Sequence, residues 1–103
     1  MIDLVTKHIE DINELCKQYK VSDLELFGSA FSEKNFDPIN SDIDFLVQFL
    51  PMDPAEHATA YFELLEKLQD MFSCNIDLLE QKAVTNPYLR ESINKGKCRI
   101  YAA

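Results

Sequence analysis

Apolar residues recur at steps of three and four positions in the first part of the chain. This spacing places one apolar stripe along a helix, and it predicts an amphipathic helix over Asp3–Tyr19. The stripe, which we expect to face the core, consists of Val5, Ile9, Ile12, Cys16 and Tyr19.

Four shorter apolar runs predict β-strands. The first is Leu24–Phe27, which ends abruptly at Gly28, and the second is Ile43–Phe49. The third, Asn75–Glu80, contains one aspartate, and Arg99–Tyr101 can add a final strand at the edge of a sheet. Apolar runs of this length between turn residues are typical of strands.

Two further helices are indicated by their start signals. Asp53 at the N-cap and Pro54 at the first helical position begin a helix that we expect to run to about Met71. Asn86–Pro87 opens a last short helix, which Gly96 is expected to close in a left-handed conformation. The inner face of the longer helix is predicted to contain Ala58, Tyr61, Leu65, Leu68 and Phe72.

The segment between the first two strands, Ala30–Ser41, is rich in turn residues and is interpreted as a brief helical turn followed by a surface loop. The elements therefore follow the order helix, strand, turn, strand, helix, strand, helix, strand. This order predicts an α/β (α+β) fold in which helices pack on a short sheet of about four strands. With 103 residues, no repeat and no linker, the chain is expected to be one domain over residues 1–103.

The overall charge limits the classes of ligand. A formal net charge of −8 repels phosphate backbones and argues against a domain that grips DNA or RNA, although a small charged ligand held with a metal remains compatible. No membrane association is expected, because the longest apolar stretch, Phe45–Leu50, is far shorter than the roughly 20 residues of a membrane span. Met1–Asp3 also lacks the basic start of a signal peptide.

Three cysteines, Cys16, Cys74 and Cys98, are widely spaced and form no C-x-x-C pair. Their number and spacing suggest neither a disulfide framework nor a zinc site. We expect free thiols, buried or half-buried, in a protein of the reducing cytoplasm.

Two carboxylates, Asp42 and Asp44, stand at the start of the strand Ile43–Phe49 and are separated by one residue. On a strand both point to the same face, and like charges this close resist burial unless a cation balances them. Hard oxygen ligands of this kind suit Mg²⁺. An acidic turn at a strand end is the simpler interpretation, but a largely buried strand is a costly place for idle carboxylates.

Two other features could complete such a site. Gly28 and Ser29 directly follow a strand, so that their backbone N–H groups could hold a phosphate, or Ser29 could cap an ordinary turn. Asp77 interrupts a run that otherwise resembles a buried strand. It could be a third metal ligand, or it could pair with a lysine or an arginine.

The remaining polar candidates have ordinary interpretations. His8 and His57 are expected on helix surfaces, since neither has a second ligand at metal spacing. Arg90, Lys95 and Lys97 are expected to be solvated or near helix carbonyls, although one of them could approach a phosphate or a protein partner.

The motifs occur together in an order that resembles the minimal nucleotidyltransferases of the DNA polymerase beta-like superfamily. They are Leu26–Ser29, then Ser41–Val47 with its two acids, then Ile76–Leu78 with its single acid. The tail also resembles the C-terminal helix and strand of that family, in Asn86–Ser92 and Ile100–Tyr101. The resemblance covers nearly the whole chain and implies a nucleotidyltransferase fold with a short mixed sheet.

The resemblance also implies a role for each site residue. Gly28 and Ser29 contact the triphosphate of a nucleoside triphosphate, with ATP as the expected substrate, while Asp42 and Asp44 hold Mg²⁺. Asp77 helps a second Mg²⁺ ion to activate an acceptor hydroxyl. That hydroxyl attacks the α-phosphorus, and pyrophosphate leaves.

The chain departs from the family pattern in two ways. The spacer Ala30–Ser41 is somewhat longer than usual, which a loop tolerates at little cost in entropy. Ala30, Phe31 and Ser32 stand where many relatives carry arginines, which leaves Lys34 as the nearest cation in the sequence.

By resemblance, the expected activity is transfer of AMP from ATP to a protein acceptor, with this chain as the antitoxin of a HEPN-domain toxin. A homo-oligomer is also possible. The alternative is a binding module that neutralises its partner by steric masking alone. A receiver-like signalling domain, which also uses clustered aspartates with Mg²⁺, fits poorly because the first strand leads into Gly28–Ser29 and not into acids.

Overall fold

The structure, a computed structural model, describes residues 3–28 and 42–103 of the chain. Within them one sheet is formed by β1 (Val21–Phe27), β2 (Ile43–Phe49), β3 (Ile76–Glu80) and β4 (Lys97–Ala102). Its order is β3-β2-β1-β4, with β1 antiparallel to both β2 and β4, and β2 parallel to β3. The predicted mixed sheet is confirmed, with β4 at an edge. The predicted helical turn and loop over Ala30–Ser41 fall outside the described residues.

The described helices are α1 (Asp3–Lys7), α2 (Ile9–Gln18), α3 (Pro54–Phe72) and α4 (Pro87–Lys95), with a short 3-10 turn at Gln81–Ala83. The prediction of one helix over Asp3–Tyr19 is wrong, because the chain breaks at His8, whose φ of −107° and ψ of 13° are not helical. The break sets the ring of His8 edge-on against Phe72, with 5.3 Å between ring centroids. No helix of the described ranges is long and apolar enough to cross a membrane.

The predicted helix starts are confirmed by their caps. The Asp53 carboxylate accepts a hydrogen bond from the backbone N–H of Glu56 at 2.9 Å. Asn86 caps α4 in the same way, accepting from two backbone N–H groups at 2.8 and 3.3 Å. The left-handed end predicted at Gly96 is wrong: its φ is −155° and its ψ is 92°. Because β4 begins at the next residue, the chain must leave the helix in an extended conformation.

The main core lies between the sheet and the helices α1, α2 and α3. Its fully buried members include Val5, Ile12, Leu24, Ile43, Phe45 and Leu64. The inner face of α3 is rotated from the predicted one, since Ala58 is exposed while Tyr61 and Leu65 are only partly buried. Steps of four, through Ala60, Leu64, Leu68 and Phe72, bring the buried side chains together on one side of this helix.

The three cysteines are free, as predicted. Cys16 on α2 is buried, and burial raises the pKa of its thiol to about 12. Cys74 and Cys98 are partly buried. Cys16 therefore acts as a small apolar side chain of the core.

Candidate active site

The predicted acids lie close together along the edge of the sheet formed by the ends of its strands, because of the directions in which the strands run. The strand β1 ends where the parallel strands β2 and β3 begin. Asp44 on β2 is the register partner of Phe27 on one side and of Asp77 on the other. Register partners point to the same face of a sheet, so Asp44 and Asp77 share a face. Asp42 lies two residues before Asp44, immediately ahead of the strand.

Gly28 is packed against the carboxylate of Asp44. Its φ is +75°, in the left-handed region that side chains other than glycine rarely adopt. A Cβ atom at this position would lie 2.4 Å from Oδ2 of Asp44, which is too close for any real contact. Both the backbone conformation and the acid therefore require glycine here. The predicted partner of Gly28, Ser29, lies outside the described residues.

Asp44 is the central acid of the group. Burial, followed by the charges of Asp77 and then Asp42, raises its pKa from 3.8 to about 6. Asp42 and Asp77 are both exposed, so the edge is open to a ligand. A cation bound here would relieve the repulsion among the three carboxylates, and hard carboxylate oxygens are ligands that suit Mg²⁺.

The three acids do not by themselves form a complete metal-binding site. Within residues 3–28 and 42–103, no three His, Cys, Asp or Glu side chains are positioned to hold one metal ion together. The ion pairs of this part of the chain do not include Asp42, Asp44 or Asp77, so the salt bridge considered for Asp77 is not found there. Mg²⁺ usually takes one or two carboxylates and completes its shell with water and phosphate oxygens. The donor set therefore fits an ion that arrives with a phosphorylated ligand.

The family follows from comparison with known proteins. The model of the family "Polymerase beta, Nucleotidyltransferase" matches residues 10–103. This chain belongs to that nucleotidyltransferase family. Two similar proteins of Methanocaldococcus jannaschii are named "Putative protein adenylyltransferase MJ0128" and "Putative protein adenylyltransferase MJ1379". They are 33% and 30% identical to this chain over 93 residues, which cover 90% of this chain and 87% of each relative.

Solved structures support the same fold. A toxin–antitoxin with AMP-PNP matches with a TM-score of 0.68 and 21% identity, covering 92% of this chain and 73% of that one. A chain of the complex between a tri-AMPylated Shewanella oneidensis HEPN toxin and an MNT antitoxin matches with a TM-score of 0.64 and 21% identity. That match covers 95% of this chain and 72% of the other. The nucleotidyltransferase fold predicted from the motifs is thus confirmed.

The face of the nucleotidyltransferase sheet that carries the acids also has a small apolar cluster, formed by Phe27, Leu46, Val84 and Ile93. Beside it, Glu25 is only 6% exposed, and its Oε2 lies 3.3 Å from Nζ of Lys97. Glu25 is not among the site residues predicted from the sequence. A signal was present, because Glu25 stands among buried strand residues in the same way as Asp77.

His57 lies away from the acids of this nucleotidyltransferase, whereas His8 packs against Phe72. Both side chains are partly buried, with 31% of His8 and 34% of His57 exposed. His57 pairs with Glu80 and packs beside Phe49, with ring centroids 5.0 Å apart. Glu80 and Phe49 end the strands β3 and β2, opposite the edge where Asp44 lies. His57 therefore contributes to packing at the far end of the sheet.

Proposed function

We propose that this nucleotidyltransferase transfers AMP from ATP to a hydroxyl group of a protein acceptor. The acceptor is a HEPN-domain toxin, and the transfer neutralises it, so that this chain acts as an antitoxin. The observation that carries the proposal is the placement of Asp44 between Asp42, Asp77 and Gly28 at an open sheet edge. The names of the M. jannaschii relatives and the AMPylated HEPN toxin in a solved complex support the choice of AMP and of the acceptor.

Each residue of the edge has a proposed role. Gly28 lets the triphosphate approach the sheet closely, because it presents no side chain, and Ser29 adds a hydroxyl to the same turn. Asp42 and Asp44 would hold Mg²⁺, which would supply positive charge to the phosphate oxygens. Asp77, exposed beside Asp44, orients the acceptor hydroxyl and accepts its proton. The hydroxyl oxygen then bonds to the α-phosphorus as the bond to pyrophosphate breaks and pyrophosphate leaves.

Labelling of the partner tests this proposal. The purified protein is mixed with ATP labelled at the α-phosphate, Mg²⁺ and a HEPN-domain toxin. We expect the label on the partner, and we expect Asp44→Asn to reduce the rate at least about 100-fold, because the charge that holds the cation is lost. Asp70→Asn, which removes an exposed acid on α3, is the matched control and should label normally. Unchanged labelling by Asp44→Asn would refute the catalytic role.

A second candidate function is neutralisation by steric masking. It is favoured by the open arrangement of the acids, since no three metal-binding side chains of the described residues already surround one ion. It is also favoured by the uncharged Ala30, Phe31 and Ser32 that follow Gly28 and Ser29 in the sequence. The double variant Asp42→Ala/Asp44→Ala separates the two functions. Full neutralisation of the toxin by this variant would establish masking, and loss of neutralisation would establish transfer.

A further inference from the structure

One row of register partners crosses the whole sheet at the end where the acids lie. It consists of Lys97 on β4, Phe27 on β1, Asp44 on β2 and Asp77 on β3. Neighbouring strands are about 4.8 Å apart, so the Cα atoms of Lys97 and Asp44 are separated by roughly 10 Å. Because register partners share a face, this open face has two carboxylates at one end of the row and an ammonium at the other.

The ammonium of Lys97 is paired with a buried carboxylate of β1. Its Nζ lies 3.3 Å from the carboxylate of Glu25, whose side chain is 8% exposed, whereas the side chain of Lys97 is 36% exposed. A buried carboxylate is costly unless it is paired, and the transfer reaction proposed above makes no use of Glu25. An ammonium has three N–H donors, so pairing with Glu25 leaves donors free for a ligand.

Lys97 also lines a pocket of about 200 Å³ on the same face. Leu46, two residues after Asp44 and on the same side of β2, forms part of its floor. Arg90 contributes a second cation, and one of its guanidinium nitrogens, Nη2, donates to the carbonyl of Val84 at 2.7 Å. The amides of Gln81 and Asn94 complete the polar wall. Two cations with free N–H donors suit an anionic ligand.

A triphosphate needs such cations in this chain. The formal charge is −8, and three carboxylates stand at the edge that the nucleotide approaches. The residues that follow Gly28 and Ser29 in the sequence, Ala30, Phe31 and Ser32, carry no charge. Cations elsewhere on the same face would therefore add to the attraction that bound Mg²⁺ provides.

We propose that Lys97, positioned by the buried carboxylate of Glu25, and Arg90 bind the phosphate chain of the nucleoside triphosphate. Because this role lies within the site of the proposed transfer reaction, it rests on that proposed function. Arg90 of α4 and Lys97 of β4 thereby have a binding role, and the burial of Glu25 in β1 is explained by its pairing with Lys97.

Direct binding tests this role without any transfer step. ATP and AMP compete with a fluorescent ATP analogue in the presence of Mg²⁺, on the native chain and on Glu25→Gln/Lys97→Met. This double variant leaves the net charge unchanged and leaves no unpaired carboxylate buried. We expect it to bind ATP about tenfold more weakly and AMP less than about twofold more weakly, because charge-assisted hydrogen bonds to the outer phosphates are lost.

Two controls make the result specific. Lys95→Met removes a cation whose side chain is 76% exposed and which lies near Glu91, so it should bind ATP like the native chain. Lys97→Arg keeps the positive charge, and should bind ATP more tightly than Glu25→Gln/Lys97→Met does. Circular dichroism establishes that each variant is folded.

The outcomes separate this role from the transfer reaction. A folded double variant that binds ATP within about twofold of the native chain overturns the role of Lys97 and leaves the proposed function intact. An equal loss for ATP and AMP also overturns it, because the contact is then not with the outer phosphates. A native chain that binds no ATP overturns both proposals, whereas normal labelling by Asp44→Asn overturns the proposed function alone.

Chemical protection in the native chain gives a second measurement that needs no variant. Lysine acetylation is followed by mass spectrometry with and without Mg²⁺ and ATP. We expect ATP to slow acetylation of Lys97 while leaving Lys95 unchanged, and AMP to have little effect. Acetylation of Lys97 at the same rate with and without ATP would overturn the proposed contact.

Discussion

The two faces of the sheet differ in what they bury. The face under α1, α2 and α3 is apolar, with Ile43, Phe45 and Val47 of β2 all fully buried. The opposite face carries Asp44, the buried Glu25 paired with the exposed Lys97, and, among the described residues, a cluster of four buried apolar side chains. Neighbouring positions on one strand therefore have different roles: one packs in the core and the next lies on the charged face. One face supplies most of the stability, and this allows the other to carry charged groups that reduce it.

The largest expected effect contrasts two neighbouring residues of β2. Phe45 is fully buried in the main core, and Leu46 belongs to the small cluster on the face of the acids. Phe45→Ala should lower the free energy of unfolding by about 4 kcal/mol, and Leu46→Ala by about 2 kcal/mol, because the small cluster can relax around the cavity. Urea denaturation measures both. Equal losses would mean that the two faces contribute equally to stability.

A smaller effect is expected at the bend beside Asp44. Gly28→Ala places a Cβ atom against the acid and strains the left-handed backbone, so it should cost about 2 kcal/mol and also abolish labelling of the partner. The second glycine of the chain is the matched control. Gly96 has extended backbone angles that any residue adopts, so Gly96→Ala should change stability by less than about 0.5 kcal/mol. Normal labelling by Gly28→Ala would contradict the tight approach of a triphosphate to this bend.

The sequence predicted the parts of the site that depend on local pattern. The strand Ile43–Phe49 has the predicted bounds, and Asp44 and Asp77 lie side by side as expected of acids on neighbouring strands. The bounds of β2 follow from the apolar pattern within one strand, whereas the meeting of Asp44 with Asp77 follows from the family resemblance, because neither strand alone contains the register between β2 and β3. The role of Asp44 as a metal ligand remains a prediction.

The parts that could not be predicted depend on contacts between distant segments. The pairing of Glu25 with Lys97 requires the register of β1 against β4, and no pattern within either strand contains that register. The break at His8 likewise reflects packing against Phe72, far along the chain. At Gly96 the usual helix-ending conformation gives way because β4 follows at once. Tertiary contacts overrode local preference in each case.

The smallest expected effect is a gain in stability. In the metal-free protein the pKa of Asp44 is raised from 3.8 to about 6, so the folded state binds a proton more tightly than the unfolded state does. A shift of about two units corresponds to about 3 kcal/mol, and solvent screening of a half-buried group reduces this to about 1 kcal/mol. Asp44→Asn should therefore stabilise the metal-free protein by about 1 kcal/mol at neutral pH.

The pH dependence gives the sign of this effect. Below pH 3.8 the carboxyl is protonated in both the folded and the unfolded state, so the variant gains nothing. The gain grows as pH rises from 3.8 to about 6, and it is constant above that range. Thermal unfolding in EDTA across this range measures it, and Mg²⁺ should then stabilise the native chain but not the variant. A variant less stable than the native chain at neutral pH would show that Asp44 supports the fold, and the division of labour between the two faces would not hold.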